Sequence, residues 1–148
     1  MAHTAKLLVR DVVTASGTDT IRAIAKKMRL VNIGCVVITD ARKPIGIFTE
    51  RDMVNRVVAQ NVDPDTTPVS KVMTPNPQTI DSSETLDKIF ALLAKGRFRH
   101  VPITEKGLLA GLVSLTDLAR VLEAVYKEDK YLQYFVDQMQ AESASARS

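Results

Sequence analysis

The feature that most constrains this chain is that it matches itself. Displaced by 65 residues, the sequence aligns with itself without a gap from Thr14/Thr79 to Val57/Leu122. Thr20 falls on Thr85, Val36 on Val101, Ile38 on Ile103, Gly46 on Gly111 and Asp52 on Asp117. Other pairs keep their character, such as Ile21/Leu86, Ile24/Ile89, Met28/Leu93 and Thr49/Ser114. A half of this size buries too little apolar surface to stand alone. Two copies are therefore expected to pack sheet against sheet as one pseudo-two-fold body. Upstream of Thr14, Val9–Val13 reads against Val69–Met73, with five more residues before Thr79 in the second copy.

Each half has the same order of elements. Ile21, Ile24, Ala25 and Met28 recur at helical spacing, as do Leu86, Ile89, Phe90 and Leu93. Thr18 and Ser83 are the expected caps of these helices. Two short apolar runs follow in each copy, 35–39 and 45–48, then 101–104 and 108–113, each pair joined through turn residues. A second helix begins at Thr49 or Ser114. With a short extended piece at 12–14 or 78–80, the unit is β-α-β-β-α and the class α/β of the α+β type. The expected boundaries are 8–59 for the first repeat, 60–68 for a linker rich in Asn, Asp, Thr and Pro, and 69–126 for the second. Residues 127–140 carry Leu132, Phe135, Val136 and Met139 at helical spacing, which predicts an extra amphipathic helix. It either covers the module's own core or meets a second chain. Residues 141–148 read as a disordered end.

Composition narrows the function. A net charge of +3 is too mild to imply nucleic-acid binding, and no dense basic stripe supports it. No apolar run reaches the ~20 residues of a membrane span, so a cytoplasmic location is the default expectation. The single cysteine, Cys35, rules out a disulfide within the chain. It lies in an apolar run and reads as a small buried hydrophobe. No cysteine–histidine spacing suggests a metal site. His100 has no nucleophile or acid pair in company that would make it a catalytic base, so no enzyme is expected.

One motif occurs twice: Gly46-Ile-Phe-Thr49-Glu-Arg51-Asp52 and Gly111-Leu-Val-Ser114-Leu-Thr116-Asp117. Thr49 with Asp52, and Ser114 with Asp117, match a capping box, and Phe48/Met53 and Val113/Leu118 match hydrophobic staples. That reading needs no ligand. The same geometry also suits one. A strand running into a helix presents free N–H groups and a positive dipole end, which fit a phosphate. The hydroxyls of Thr49, Ser114 and Thr116 can donate to phosphate oxygens, and an aspartate in the first turn can accept from ribose hydroxyls. Glycine lets a ligand or neighbouring strand come close.

In these residues the chain resembles the cystathionine-β-synthase (CBS) domain family, over nearly all of its length. The duplicated Gly-apolar-apolar-Ser/Thr-x-x-Asp signature carries the resemblance. Val72–Pro75, Pro77–Ile80 and the strand Arg99–Ile103 add to it. The resemblance implies a stand-alone regulatory module that binds AMP, ADP or ATP in clefts between the repeats, with S-adenosylmethionine or NAD as alternatives. It implies no required cofactor, and it implies a homodimer and a protein partner that reads the bound state. Carried over by position, Asp117 is the ribose residue, with Thr116, Ser114, Arg99 and His100 beside the phosphates and Thr79, Ile80 and Pro102 near the base. The equivalent site would use Asp52, Thr49, Arg51 and Thr14. There Asn32–Cys35 replaces Arg97–His100, so the basic group is missing. Arg97 and Arg99 share one face of an extended strand and His100 takes the other. The alternative function is a structural, protein-interaction dimer whose clefts stay empty, with the motifs serving as capping boxes alone.

Overall fold

The paired apolar runs extend into strands only two residues apart and become antiparallel hairpins. β2 (Cys35–Asp40) pairs with β3 (Lys43–Thr49), and β6 (His100–Glu105) with β7 (Leu108–Ser114). The connecting residues all have positive φ: Ala41 at 48°, Arg42 at 66°, Lys106 at 53° and Gly107 at 79°. That backbone twist matches the twist of the flanking strands. The computed structural model describes residues 4–8, 11–96, 99–125, 137–142 and 144.

The remaining elements follow the repeat. In the first half they are β1 (Thr14–Ser16), α1 (Ile21–Val31) and α2 (Glu50–Asp52), which continues as a π-helical stretch over Met53–Val58. In the second they are β4 (Thr74–Pro75), β5 (Ile80–Asp81), α3 (Leu86–Lys95) and α4 (Leu115–Val125). The sheet orders are β1-β2-β3-β4 and β5-β6-β7, with β1 and β5 parallel to their neighbours.

The helix caps fall two residues later than the sequence suggests. Thr20 accepts from the Ala23 N–H at 3.2 Å and Thr85 from the Lys88 N–H at 3.4 Å. Thr18 and Ser83 are drawn backward instead. The Thr18 hydroxyl bonds Ser16 at 3.0 Å, and Ser83 donates to Asp81 at 2.6 Å. These hydroxyls tie the turn before each helix, which leaves the next threonine to cap it.

Each sheet buries both faces. Val36, Ile38 and Phe48 meet α1 in one core, and Val101, Ile103 and Val113 meet α3 in the other. Between the sheets, Cys35, Val37 and Ile47 of the first repeat pack with Leu112 of the second. The Leu109 N–H donates to the Arg42 carbonyl at 2.8 Å across the same seam. Sheet packs on sheet as expected.

The two halves also exchange segments. β4 belongs by sequence to the second repeat but pairs with β3, with Gly46 opposite Pro75 and Ile47 opposite Thr74. Val69 is fully buried in the first core, and its N–H donates to Asp19 at 2.8 Å. In mirror fashion, Ala5 opens a 3-10 turn (Ala5–Leu8), is fully buried in the second core and donates to Glu84 at 2.8 Å. Thr4 bridges Thr85 as Pro68 bridges Thr20. The upstream register is therefore Ala5 on Val69, which corrects Val9 on Val69. Hydrogen bonding to the other repeat, which the local pattern does not contain, sets this match.

Residues 137–142 and 144 are helical, so helix reaches into the stretch expected to be disordered, where Ala141 and Glu142 are good helix formers. Met139 is buried against Ala119, beside Phe90 and Leu115. Val9, Arg97, Phe98, Leu132, Phe135 and Val136 lie outside the described residues. Among the described residues no helix is long and apolar enough to cross a membrane, and no cluster of three metal-ligating side chains occurs.

Candidate functional site

Both motifs form capping boxes at the junction of a strand and a helix. In the first repeat, the Asp52 N–H donates to the Thr49 hydroxyl at 3.2 Å, and the Thr49 N–H donates to Asp52 Oδ2 at 3.0 Å. In the second, the Asp117 N–H donates to Ser114 at 3.1 Å and the Ser114 N–H to Asp117 Oδ2 at 3.1 Å. Phe48 and Met53 share the first apolar cluster, as a staple requires. The capping part of the motif is thus realised twice.

The motif glycine serves the neighbouring strand. A Cβ on Gly46 would stand 2.3 Å from the Met73 sulfur and 2.9 Å from its Cγ. Met73 leads into β4, so this glycine admits the segment that crosses from the other repeat.

Beyond the caps the two sites differ. Asp52 is nearly buried, and its Oδ1 lies 3.5 Å from Arg56 Nε. Arg51 beside it is exposed. The carbonyl of Thr14, on β1, accepts from Lys27 Nζ at 2.8 Å. In the second repeat Asp117 is half-buried, His100 stands opposite Ser114 in the β6–β7 register, and Arg99 and Thr116 are exposed. Burial pushes the His100 imidazole below its ordinary range; the Asp117 charge opposes that and Arg99 adds to it. The structure therefore brings Ser114, Asp117 and His100 together at one strand–helix junction, with Arg99 adjacent in sequence.

Cys35 holds the position of His100 in the first repeat. Burial first and the Asp52 charge second push its thiol up to about 12. A basic imidazole in one half is a neutral thiol in the other.

Thr79 immediately precedes β5, Ile80 opens it, and Pro102 lies within the neighbouring β6. Ile80 pairs with Ile103 and places its side chain in the second core, so a base could meet it through its backbone. Pro102 is buried. Its counterpart Val37 donates its N–H to Val13 at 3.4 Å. Proline has no N–H to give, and β5 is shorter than β1 by one residue at this end. The backbone of residues 78 and 79 is thus released from the strand pairing that holds 13 and 14.

Sequence reasoning missed Arg56 and Lys27. Their signal is in the 65-residue offset, which sets Val121 and Leu92 at the same positions. A groove of about 430 Å³ is bounded by Arg22 and Ala25 of α1, by Met53, Val57 and Val58 of the π-helical stretch, and by Pro64. None of the expected site residues lines it.

The model of the CBS domain family matches residues 5–59 and 69–124, and this chain belongs to that family. It is 38% identical over 114 residues to the Methanopyrus kandleri protein MK0525, covering 76% of this chain and 58% of that one. The Arabidopsis thaliana protein CBSCBSPB2 is 35% identical over 113 residues, covering 76% of this chain, which spans only 21% of that protein's length. Among solved structures, the CBS-domain protein ATU1752 of Agrobacterium tumefaciens shares 40% identity and a TM-score of 0.67, covering 76% of this chain and 90% of that one. Two neighbours at 24% identity share the fold. The Pyrobaculum aerophilum protein PAE2072, complexed with AMP, has a TM-score of 0.71 and covers 92% of this chain and 98% of its own. The CBS pair of MJ0100, in complex with 5′-methylthioadenosine and S-adenosylmethionine, has a TM-score of 0.73 and covers 84% and 99%.

Proposed function

We propose that this CBS pair is a non-enzymatic sensor that binds an adenine nucleotide, AMP, ADP or ATP, in the cleft headed by Asp117. The observation that carries this reading is the junction of Ser114, Asp117 and His100 at the start of α4. It combines a carboxylate for ribose hydroxyls, helix N–H groups for phosphate and a basic side chain, with Arg99 and Thr116 exposed beside it. The backbone released by Pro102 supplies donors and acceptors for an adenine edge. The same fold accommodates adenosyl ligands in two other proteins.

Binding biases the packing of the two repeats, and a partner protein reads that bias. The module works in the cytoplasm as a homodimer. The support for a second copy is apolar surface on the first repeat, where Leu30, Val31, Val54 and Val58 are exposed.

Calorimetric titration with AMP, ATP, S-adenosylmethionine and NAD tests the reading. AMP or ATP is expected to bind and raise the melting midpoint by linkage. Asp117→Ala is expected to abolish binding in a folded protein. Flat titrations with all four ligands would sink the proposal and leave the motifs as capping boxes in an interaction module. Asp52, already saturated by internal partners, favours that second reading for the first repeat.

A further inference from the structure

Resting on the reading that the second-repeat cleft takes an adenine nucleotide, we propose that His100 makes this binding proton-linked. The imidazole takes up a proton from solvent when the nucleotide phosphate arrives, so the module holds its ligand more tightly as the pH falls.

The fold gives His100 its direction. Val101 and Ile103 point into the second core. Alternation along β6 sends His100 and Pro102 to the opposite face. The matching residues of the first repeat, Cys35 and Val37, form the seam between the sheets together with Ile47 and Leu112. His100 opens β6 on this face and is half-buried. Across the hairpin it pairs with Ser114, and paired residues of antiparallel strands carry their side chains on the same face. The capping box ties Ser114 to Asp117 at the start of α4. The imidazole therefore shares a face with the helix N-terminus that suits a phosphate.

Opposed forces set the charge of the ring. Burial is the largest and favours the neutral form. Among the described residues, Asp117 of α4 favours the cation, and Arg99, next to His100 in the chain, opposes it. From β7 the ring is met by Ser114, and the first sheet brings Cys35 to the seam with its thiol pushed up to about 12. Burial wins in the free protein, and the ring is neutral at about pH 7. A bound phosphate adds roughly 1.5–2 negative charges. It acts in the same direction as Asp117 and tips the ring to imidazolium, which then donates a charge-assisted hydrogen bond to the phosphate oxygen. Where the ring is neutral without ligand and cationic with it, affinity changes about tenfold per pH unit. Cys35 holds this position in the first repeat, and a neutral thiol has no proton to gain. The proton link thus belongs to the second-repeat cleft.

The chain has two histidines, His3 and His100, so His3→Gln leaves one imidazole to follow by proton NMR. Its titration midpoint is recorded without ligand, with AMP, and with adenosine, which keeps ribose and base but lacks the phosphate. AMP is expected to raise the midpoint by about one pH unit or more. Adenosine at the same concentration is expected to leave it in place. Calorimetry with AMP at about pH 7.5, in buffers of different ionisation enthalpy, should show proton uptake in the wild type and none in His100→Gln. A phosphate with its second pKa near 6 is already ionised at that pH and adds little to the uptake. AMP binding with an unmoved imidazole overturns the proton link and leaves the nucleotide reading standing. An equal rise with adenosine overturns the phosphate as its cause. Flat titrations with both AMP and ATP overturn the nucleotide reading and the proton link with it. The NMR measurement keeps His100 intact, so it decides the matter even if His100→Gln does not fold.

Discussion

Gly46→Ala separates a packing role for the motif glycine from a ligand role. The new methyl would meet the Met73 sulfur at 2.3 Å, its Cγ at 2.9 Å and its Cε at 3.0 Å. Ordinary contact distances are about 3.5–4 Å. The sulfur and terminal methyl can swing aside, but Cγ is one bond from the Met73 Cβ. Relief therefore pushes on β4, whose Pro75 pairs with Gly46 itself. Overpacking of this kind costs about 1–3 kcal/mol. For a chain of this size that lowers the melting midpoint by roughly 2–4 °C for each kcal/mol. Met73 is only half-buried, so Met73→Ala alone should cost about 1–2 kcal/mol, less than a full core truncation. In the double variant the shortened side chain makes room for the methyl. The two losses should then fall short of additivity by about 1–2 kcal/mol. Urea unfolding of the four ligand-free proteins measures this directly. Strict additivity refutes the packing argument. Unchanged stability in Gly46→Ala with weakened nucleotide binding would show that the glycine serves a ligand instead.

Two further outcomes follow from buried titratable groups. Burial holds the folded His100 below its ordinary value of 6.5, so the unfolded chain takes up this proton first as pH falls. Its contribution to stability is complete above about pH 6.5 and is lost on acidification through the folded value. The urea midpoint should therefore fall between about pH 7 and pH 5, and less so in His100→Gln; equal slopes would refute the assignment. Cys35, with its thiol pushed up to about 12, should resist a disulfide reagent at mildly alkaline pH and react at once in strong denaturant. Fast labelling of the folded protein would show that the seam between the sheets is open.

Much of this architecture is legible in the sequence because it is local and duplicated. Helical spacing in 21–28 and 86–93, and the hairpins around 41–42 and 106–107, need no distant partner to be seen. The capping boxes are equally local. The caps of α1 and α3 were misread because two hydroxyl residues stand two apart before each helix, and hydrogen bonds in the turn decide between them. β4 and the Ala5 turn are short, carry no periodicity and exist through pairing with the other repeat. Arg56 was illegible for a related reason. Two of its three contacts are carbonyls, which every residue type possesses.

The exchange of segments also has a consequence in time. A growing chain reaches Thr49 with the β3 edge still open, and that edge waits for Thr74 and Pro75 to be made. Ala5, synthesised early, has no finished site until Leu86 and Val101 have followed. The first half can close once Pro75 has emerged, whereas the second, although its Ala5 clasp is made first, waits for Val113. Until then an unpaired strand edge invites pairing with another nascent copy. Such a chain gains most from uninterrupted emergence through residue 113, when the core that receives Ala5 is complete.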